Sequence, residues 1–221
     1  MAATDRPQLS QCGCGPRMDG ARGFSMLEVL ISLAIMAFGL LGLVGMQAVA
    51  QKMELESYQR AQALILLSDI IDRINTNRAA ATCYAITTSA TSSGSSNNLG
   101  TTGTSHYNVG SFSCGALASN PAAVTRAQLD LTEIDAMLQG SSEQLSGGSV
   151  GAMIGARACI GFDSATQAYT VAVAWQGAGP TYSPSSWTSA PSTARYCGVG
   201  QYGTDTQRRV VWNSLIVASL I

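Results

Sequence analysis

The sequence predicts an α+β protein: one long N-terminal α-helix packed on a small antiparallel sheet. Three observations predict it. An apolar run follows a short leader, an amphipathic helical period continues that run without a break, and three β-rich segments of alternating pattern fill the last third. The chain has 221 residues, enough for one ordinary domain and an appendage. Charge is sparse, with 12 Lys+Arg against 13 Asp+Glu, so no strong electrostatic steering is expected.

From Val29 to Gln51 no residue is charged. About 23 residues at helical rise span roughly 35 Å, sufficient to cross the hydrocarbon of a bilayer. Arg17 and Arg22 precede the run, and Glu54 and Glu56 follow it, so the positive-inside rule places the N-terminus in the cytoplasm. A secretory signal peptide would have a shorter core closed by a small-residue cleavage site, and neither feature is present, so the span reads as retained. One acid, Glu28, stands near its start. A charge at the centre of a membrane helix costs about 2.5–3.5 kcal/mol on insertion scales, which makes an unexplained one a functional residue by default.

Around that acid the sequence reads Gly23-Phe24-Ser25-Met26-Leu27-Glu28, preceded by a basic leader and followed by the apolar run. This pattern resembles the processing site of type IV prepilins and pseudopilins. The resemblance implies that a prepilin peptidase cuts after Gly23 and methylates the new amine of Phe24. It also implies that the Glu28 carboxylate pairs with such an amine, on its own or a neighbouring subunit, as subunits enter a filament. Low dielectric strengthens that attraction. At 23 residues the leader is long for the family.

Gly39, Gly42 and Gly45 interrupt the apolar helix. Each interior Gly costs roughly 0.8–1 kcal/mol relative to Ala, so the triplet is a weak point, expected to unwind partly over residues 38–46 after assembly. Close helix packing through small residues is the competing explanation.

Beyond the span, Leu64, Leu67, Ile71 and Ile74 recur at helical spacing, with Glu54, Arg60, Asp72 and Arg73 on the wet side. The expected domain layout is therefore a cleaved leader (1–23), the membrane and assembly half of a long helix (24–51), its amphipathic half (52–77) and a globular head (78–221). Thr87–Ser105, rich in Ser, Thr, Gly and Asn, reads as a surface loop. Gln128–Leu138 reads as a short second helix ending at Gly140.

The expected strands are Val150–Ile160, Tyr169–Trp175 and Arg209–Val217, the first two joined by a hairpin and the third beside them. The connection between the last two is long and Pro-containing, without a regular period, so it is expected to be functional or tied down. Tyr182, Trp187, Tyr196 and Tyr202 give it an aromatic surface, either for contact or for packing on its own sheet.

Cys83, Cys114, Cys159 and Cys197 are widely spaced and lie on the side of the span expected to be oxidising. They allow three pairings; we favour Cys159 with Cys197, which ties the long connection to the first strand and leaves Cys83 with Cys114. No C-x-x-C pair exists among them and His106 is the lone histidine, so zinc is disfavoured and no cofactor is expected. Cys12 and Cys14 read as incidental residues of the leader.

The order of these pieces also resembles the pilus modification protein PilV family of type IV pilus minor pilins. It rests on Gly39–Leu43, the Gly/Ser turn at Ser146–Val150, Ala174–Gln176 and a terminal Arg-Arg-Val-Val strand. The resemblance implies a structural subunit of a pilus priming or tip complex. Its partners would be the prepilin peptidase, other minor pilins, the major pilin, a tip adhesin and the inner membrane. The head would face the periplasm before export to an extracellular pilus. A minor pseudopilin of type II secretion is the alternative. An enzyme is disfavoured: no nucleophile elbow, Walker loop or H-E-x-x-H occurs, His106 reads as a surface residue, and Asp130, Glu133 and Asp135 read as a solvated face. Arg208 and Arg209 are too few for a phosphate-tracking stripe, so DNA is not an expected partner.

Overall fold

The computed structural model describes residues 23–95, 97–103, 105–114, 120–142, 144–149, 151 and 153–218. The leader before Gly23, with Arg17, Arg22, Cys12 and Cys14, lies outside the described residues, as do Val150 and Ala152 of the first expected strand. The chain divides into two compact units, Met1–Ala48 and Val49–Ile221. Helix α1, Met26–Thr76, contributes to both.

In the first unit every described side chain is exposed. The apolar stretch of α1 is long enough to cross a membrane and has no partner among the described residues of this chain. Pattern explains this half without tertiary help, because a helix that is apolar all round satisfies its backbone internally and meets lipid or protein equally well.

The second unit is built around the other half of α1. Its buried stripe is Gln59, Ala63, Leu67, Ile70 and Ile74. This corrects the expected stripe: Leu64 is 46 % exposed, and Ile71 is only half-buried. A run of consecutive Leu and Ile offers several stripes of equal hydrophobicity, and the one that faces small Ala63 inward allows close approach. Helix α2, Pro121–Leu138, covers this stripe together with the turn Arg78–Tyr84 and the inner face of the sheet. It starts earlier than expected, with Pro121 in its first turn and the Asn120 side chain capping Ala123 N–H at 3.3 Å.

Three two-residue strands come first: β1 (Ala90–Thr91), β2 (Gly94–Ser95) and β3 (Leu99–Gly100). After α2 follow β4 (Gln144–Leu145), β5 (Gly148–Ser149), β6 (Arg157–Asp163), β7 (Ala168–Gln176) and β8 (Arg208–Ile216). The main sheet runs β3-β6-β7-β8, and every neighbouring pair in it is antiparallel. The first strand is shorter than expected at its start. Met153 and Ala156 are buried but not in a strand, because Gly155 turns with φ +65°, and alternating Gly mimics strand alternation without forming a pleat.

Thr87–Ser105 is not a simple surface loop. It carries β1, β2 and β3, and Thr87, Ser95, Asn98 and Leu99 within it are buried. The Thr87 N–H donates to Ile160 O (2.9 Å), and Thr87 Oγ1 accepts from Ile160 N–H (3.1 Å). Composition predicts a loop here because Ser and Thr hydrogen bonding can replace a long ladder.

The even-numbered residues of β7 face outward onto a second, smaller core. There Cys159, Ala172, Ala174 and Val210 meet Ala190, Ala194, Cys197 and Tyr202 of the long connection. That connection is ordered by helix α3 (Ser192–Tyr196), which lies directly on β6. A Cβ at Gly161 would stand 2.2 Å from Thr193 Oγ1, so only Gly admits this contact. Two disulfides are present, Cys83–Cys114 and Cys159–Cys197. The second anchors α3 to the sheet.

Candidate functional site

The candidate site is the start of α1. Gly23, Phe24 and Ser25 precede the helix and are exposed, Phe24 at 84 %. Nothing lies within 4 Å of where a Gly23 side chain would be. The Gly23–Phe24 peptide is thus an accessible, non-helical bond, which is the form a peptidase requires. Ser25 opens the helix: its carbonyl accepts from Glu28 N–H (3.0 Å) and Val29 N–H (3.3 Å), and its hydroxyl accepts from Leu27 N–H (3.3 Å).

Glu28 is exposed in the first turn, where the unsatisfied N–H groups and the helix dipole favour a negative charge. It has no ion-pair partner among the described residues. Among the described residues no side chain neutralises its carboxylate. Helix α1 runs unbroken through Gly39, Gly42 and Gly45, and an added Cβ at each would meet nothing within 4 Å. Intramolecular packing therefore does not require glycine at these positions.

Several polar residues of the second unit stand elsewhere than the sequence suggested. Asp130 and Asp135 are buried rather than solvated. Asp130 accepts from the Tyr84 hydroxyl, Arg73 (3.1 Å) and Arg126 (3.0 Å). Arg73, expected on the wet side, also holds Asp69 (2.8 Å) and Glu133 (2.6 Å). Burial works against the Arg73 charge, yet its bonds to Glu133 and Asp69 outweigh that and raise its pKa. Burial, reinforced by Asp130, pushes the Tyr84 phenol up as well. This network fixes α1 to α2 through their polar edges.

His106 is half-buried rather than a free surface residue. Its Nε2 lies 2.9 Å from Asp135 Oδ1, and the same carboxylate accepts from Gly100 N–H (2.7 Å) and Gln139 (2.7 Å). No group of three metal-ligating side chains occurs among the described residues.

Arg208 and Arg209 are internal ties rather than a basic stripe. The fully buried Arg208 donates to Cys197 O (2.9 Å), Arg195 O (2.7 Å) and Asp205 (2.7 Å). Asp205 also accepts from the hydroxyls of Ser183 and Ser185. Burial alone would raise the Asp205 pKa, but these bonds outweigh it and hold the carboxyl at about 2. Burial lowers the pKa of Arg208 in spite of Asp205. The two shifts oppose one another in sense, but guanidinium loses its proton so far above neutrality that the pair stays ionised. Arg209 reaches Glu56 of α1 at 2.5 Å and Gly179 O at 2.8 Å.

Sequence reasoning missed these ties because those that join different elements, Arg73–Asp130, Tyr84–Asp130, His106–Asp135 and Arg209–Glu56, link residues far apart in the chain. A carboxylate at helical spacing among apolar residues, as in Asp130-Leu131 and Ile134-Asp135, was the available signal. Residues 18–44 match the family described as the prokaryotic N-terminal methylation motif. No curated protein and no solved structure matches the chain. The matched motif is of the type IV prepilin kind, which supports a pilin or pseudopilin and implies processing by prepilin peptidase. It fits membrane anchoring through the apolar helix that begins within it.

Proposed function

We infer that the protein is a minor pilin, a structural subunit of a type IV pilus priming or tip complex that supports pilus assembly. The observation that carries this reading is the coincidence of the methylation motif with an exposed, non-helical Gly23–Phe24 peptide and, one helical turn later, a Glu28 with no ion-pair partner among the described residues. Prepilin peptidase cuts at Gly23 and methylates Phe24. The head stands on the periplasmic side while the cytoplasmic leader is removed, and the apolar half of α1 then passes from the membrane into the fibre.

Glu28 acts as the assembly determinant. Its charge is costly in lipid without a partner, and the cationic amine of Phe24 on a neighbouring or the same subunit supplies one. The weak helix at Gly39, Gly42 and Gly45 gives the segment room to stretch as subunits pack. Other minor pilins, the major pilin and a tip adhesin are the partners this role requires. Two disulfides and a long, ordered C-terminal connection favour the pilus over a type II secretion pseudopilin.

The test is N-terminal sequencing and intact mass of protein recovered from membranes and from sheared fibres. The expected product starts at N-methylated Phe24 and occurs in both fractions at low abundance relative to the major subunit. An uncut start, or processed protein that never reaches the fibre fraction, overturns the reading.

A further inference from the structure

The two edges of the main sheet differ. At one edge β3 is only two residues long, and beside it Thr87 closes on both polar groups of Ile160. At the other, β8 pairs with β7 along nine residues with no bulge and has no strand on its far side among the described residues. Natural sheets blunt such an edge with charge, proline or a bulge. From Val210 to Val217 there is no charged residue and no proline.

Hydrogen-bond parity shows which groups are free. The Gly177 N–H donates to Gln207 O at 2.8 Å, which marks the odd-numbered residues of β8 as those that bond β7. The even-numbered residues therefore turn their N–H and C=O groups to the open edge. Ser214 N–H confirms this, since it takes the side chain of Asn213 (2.8 Å) and not β7. The long connection packs beside the first half of β8 and Val210 is buried, so the open part centres on Trp212, Ser214 and Ile216. Trp212 and Ile216 share the outer face of the sheet and are 37 % and 71 % exposed.

We propose that this edge binds a second copy of the chain, β8 against β8, antiparallel and centred on Ser214. The edge is complementary to itself. With Ser214 opposite Ser214, the outward backbone groups of Trp212 on one strand meet those of Ile216 on the other, and the reverse. The two exposed apolar side chains are then covered twice by one symmetry operation, as an isologous interface requires. No charge lies between Val210 and Val217 on either strand to repel its copy. Asn213 occupies the Ser214 N–H while the edge is empty and releases it when the strand arrives. The pairing joins two four-stranded sheets into one and leaves the Gly23–Phe24 bond and Glu28 uninvolved, so it stands apart from the proposed function.

The test is symmetric cross-linking in the full chain, in detergent micelles and in the membrane. Directly opposed, hydrogen-bonded residues of an antiparallel pair have Cα atoms about 5.5 Å apart, within disulfide reach. Mild oxidation of the Ser214→Cys variant is expected to give a covalent dimer as the main species on a non-reducing gel. The Ser164→Cys variant, in the β6–β7 turn, is expected to stay monomeric. Sedimentation should show dimer for the wild-type chain and monomer for Ser214→Pro, whose missing N–H faces away from β7. Absence of the Ser214→Cys dimer, equal dimer from Ser164→Cys, or cross-linking of Ser214→Cys to a different protein in its place overturns the proposal. The cysteine variant decides the matter even where the proline variant fails to fold.

Discussion

The two halves of helix α1 have the same secondary structure and opposite circumstances. Before Ala48 every described side chain is exposed, and no other described part of the chain covers it. After Val49 one stripe is buried to completion by α2, the sheet and a disulfide-tied turn. The first half is a surface that awaits its environment, and the second is a core element. Substitutions in the first half should therefore alter location and assembly with no change in folding of the head. Substitutions in the second should do the reverse.

The largest expected effect breaks that comparison at its functional end. Glu28→Ala should reduce incorporation into sheared fibres at least tenfold by immunoblot, while cleavage at Gly23 and the melting temperature of the head stay unchanged. A head that melts lower would tie Glu28 to folding and remove the distinction. Next comes the buried end. Leu131→Ala, fully buried in the main core, should cost about 2–5 kcal/mol in chemical denaturation. Arg208→Met should cost about 3 kcal/mol, because it leaves Asp205 and two buried carbonyls without their donor.

A pH titration sharpens the second half further. Asp205 has its folded pKa depressed to about 2 from an ordinary 3.8, so its contribution is complete above pH 4 and lost as the pH falls from 4 towards 2. The shift corresponds to about 2 kcal/mol, readable as a loss of urea midpoint that Asp205→Asn abolishes. The smallest effect tests the stripe itself. Leu64→Ala should cost under about 1 kcal/mol against about 2–5 for Leu67→Ala, although the two leucines are three residues apart on one helix.

Much of this was legible in the residues. Helix α1 was expected as two continuous halves, 24–51 and 52–77, and spans Met26–Thr76. The hairpin of β6 and β7 with β8 beside it followed from alternation. Each of those signals is local and periodic, so one pass along the chain recovers it. The reading failed where the chain substitutes side-chain hydrogen bonds for periodicity, as at Thr87 and Asn97–Gly100, and where glycine imitates alternation, as from Gly151 to Ala156. It also took Asp130, Asp135, Arg73 and His106 for surface groups. A charged side chain reads as solvated until its partner is known, and these partners lie as far as 60 residues away.

By itself the sequence determined the processing motif, the apolar span and the acid within it. These depend on residue order over one or two helical turns and on solvents the chain meets outside itself. Only the tertiary structure decided which stripe of α1 is buried, which carboxylates leave water, and which edge of the sheet stays open. Those outcomes depend on how surfaces from distant segments fit, and a carboxylate or strand edge acquires its energetic character from whatever the fold sets beside it.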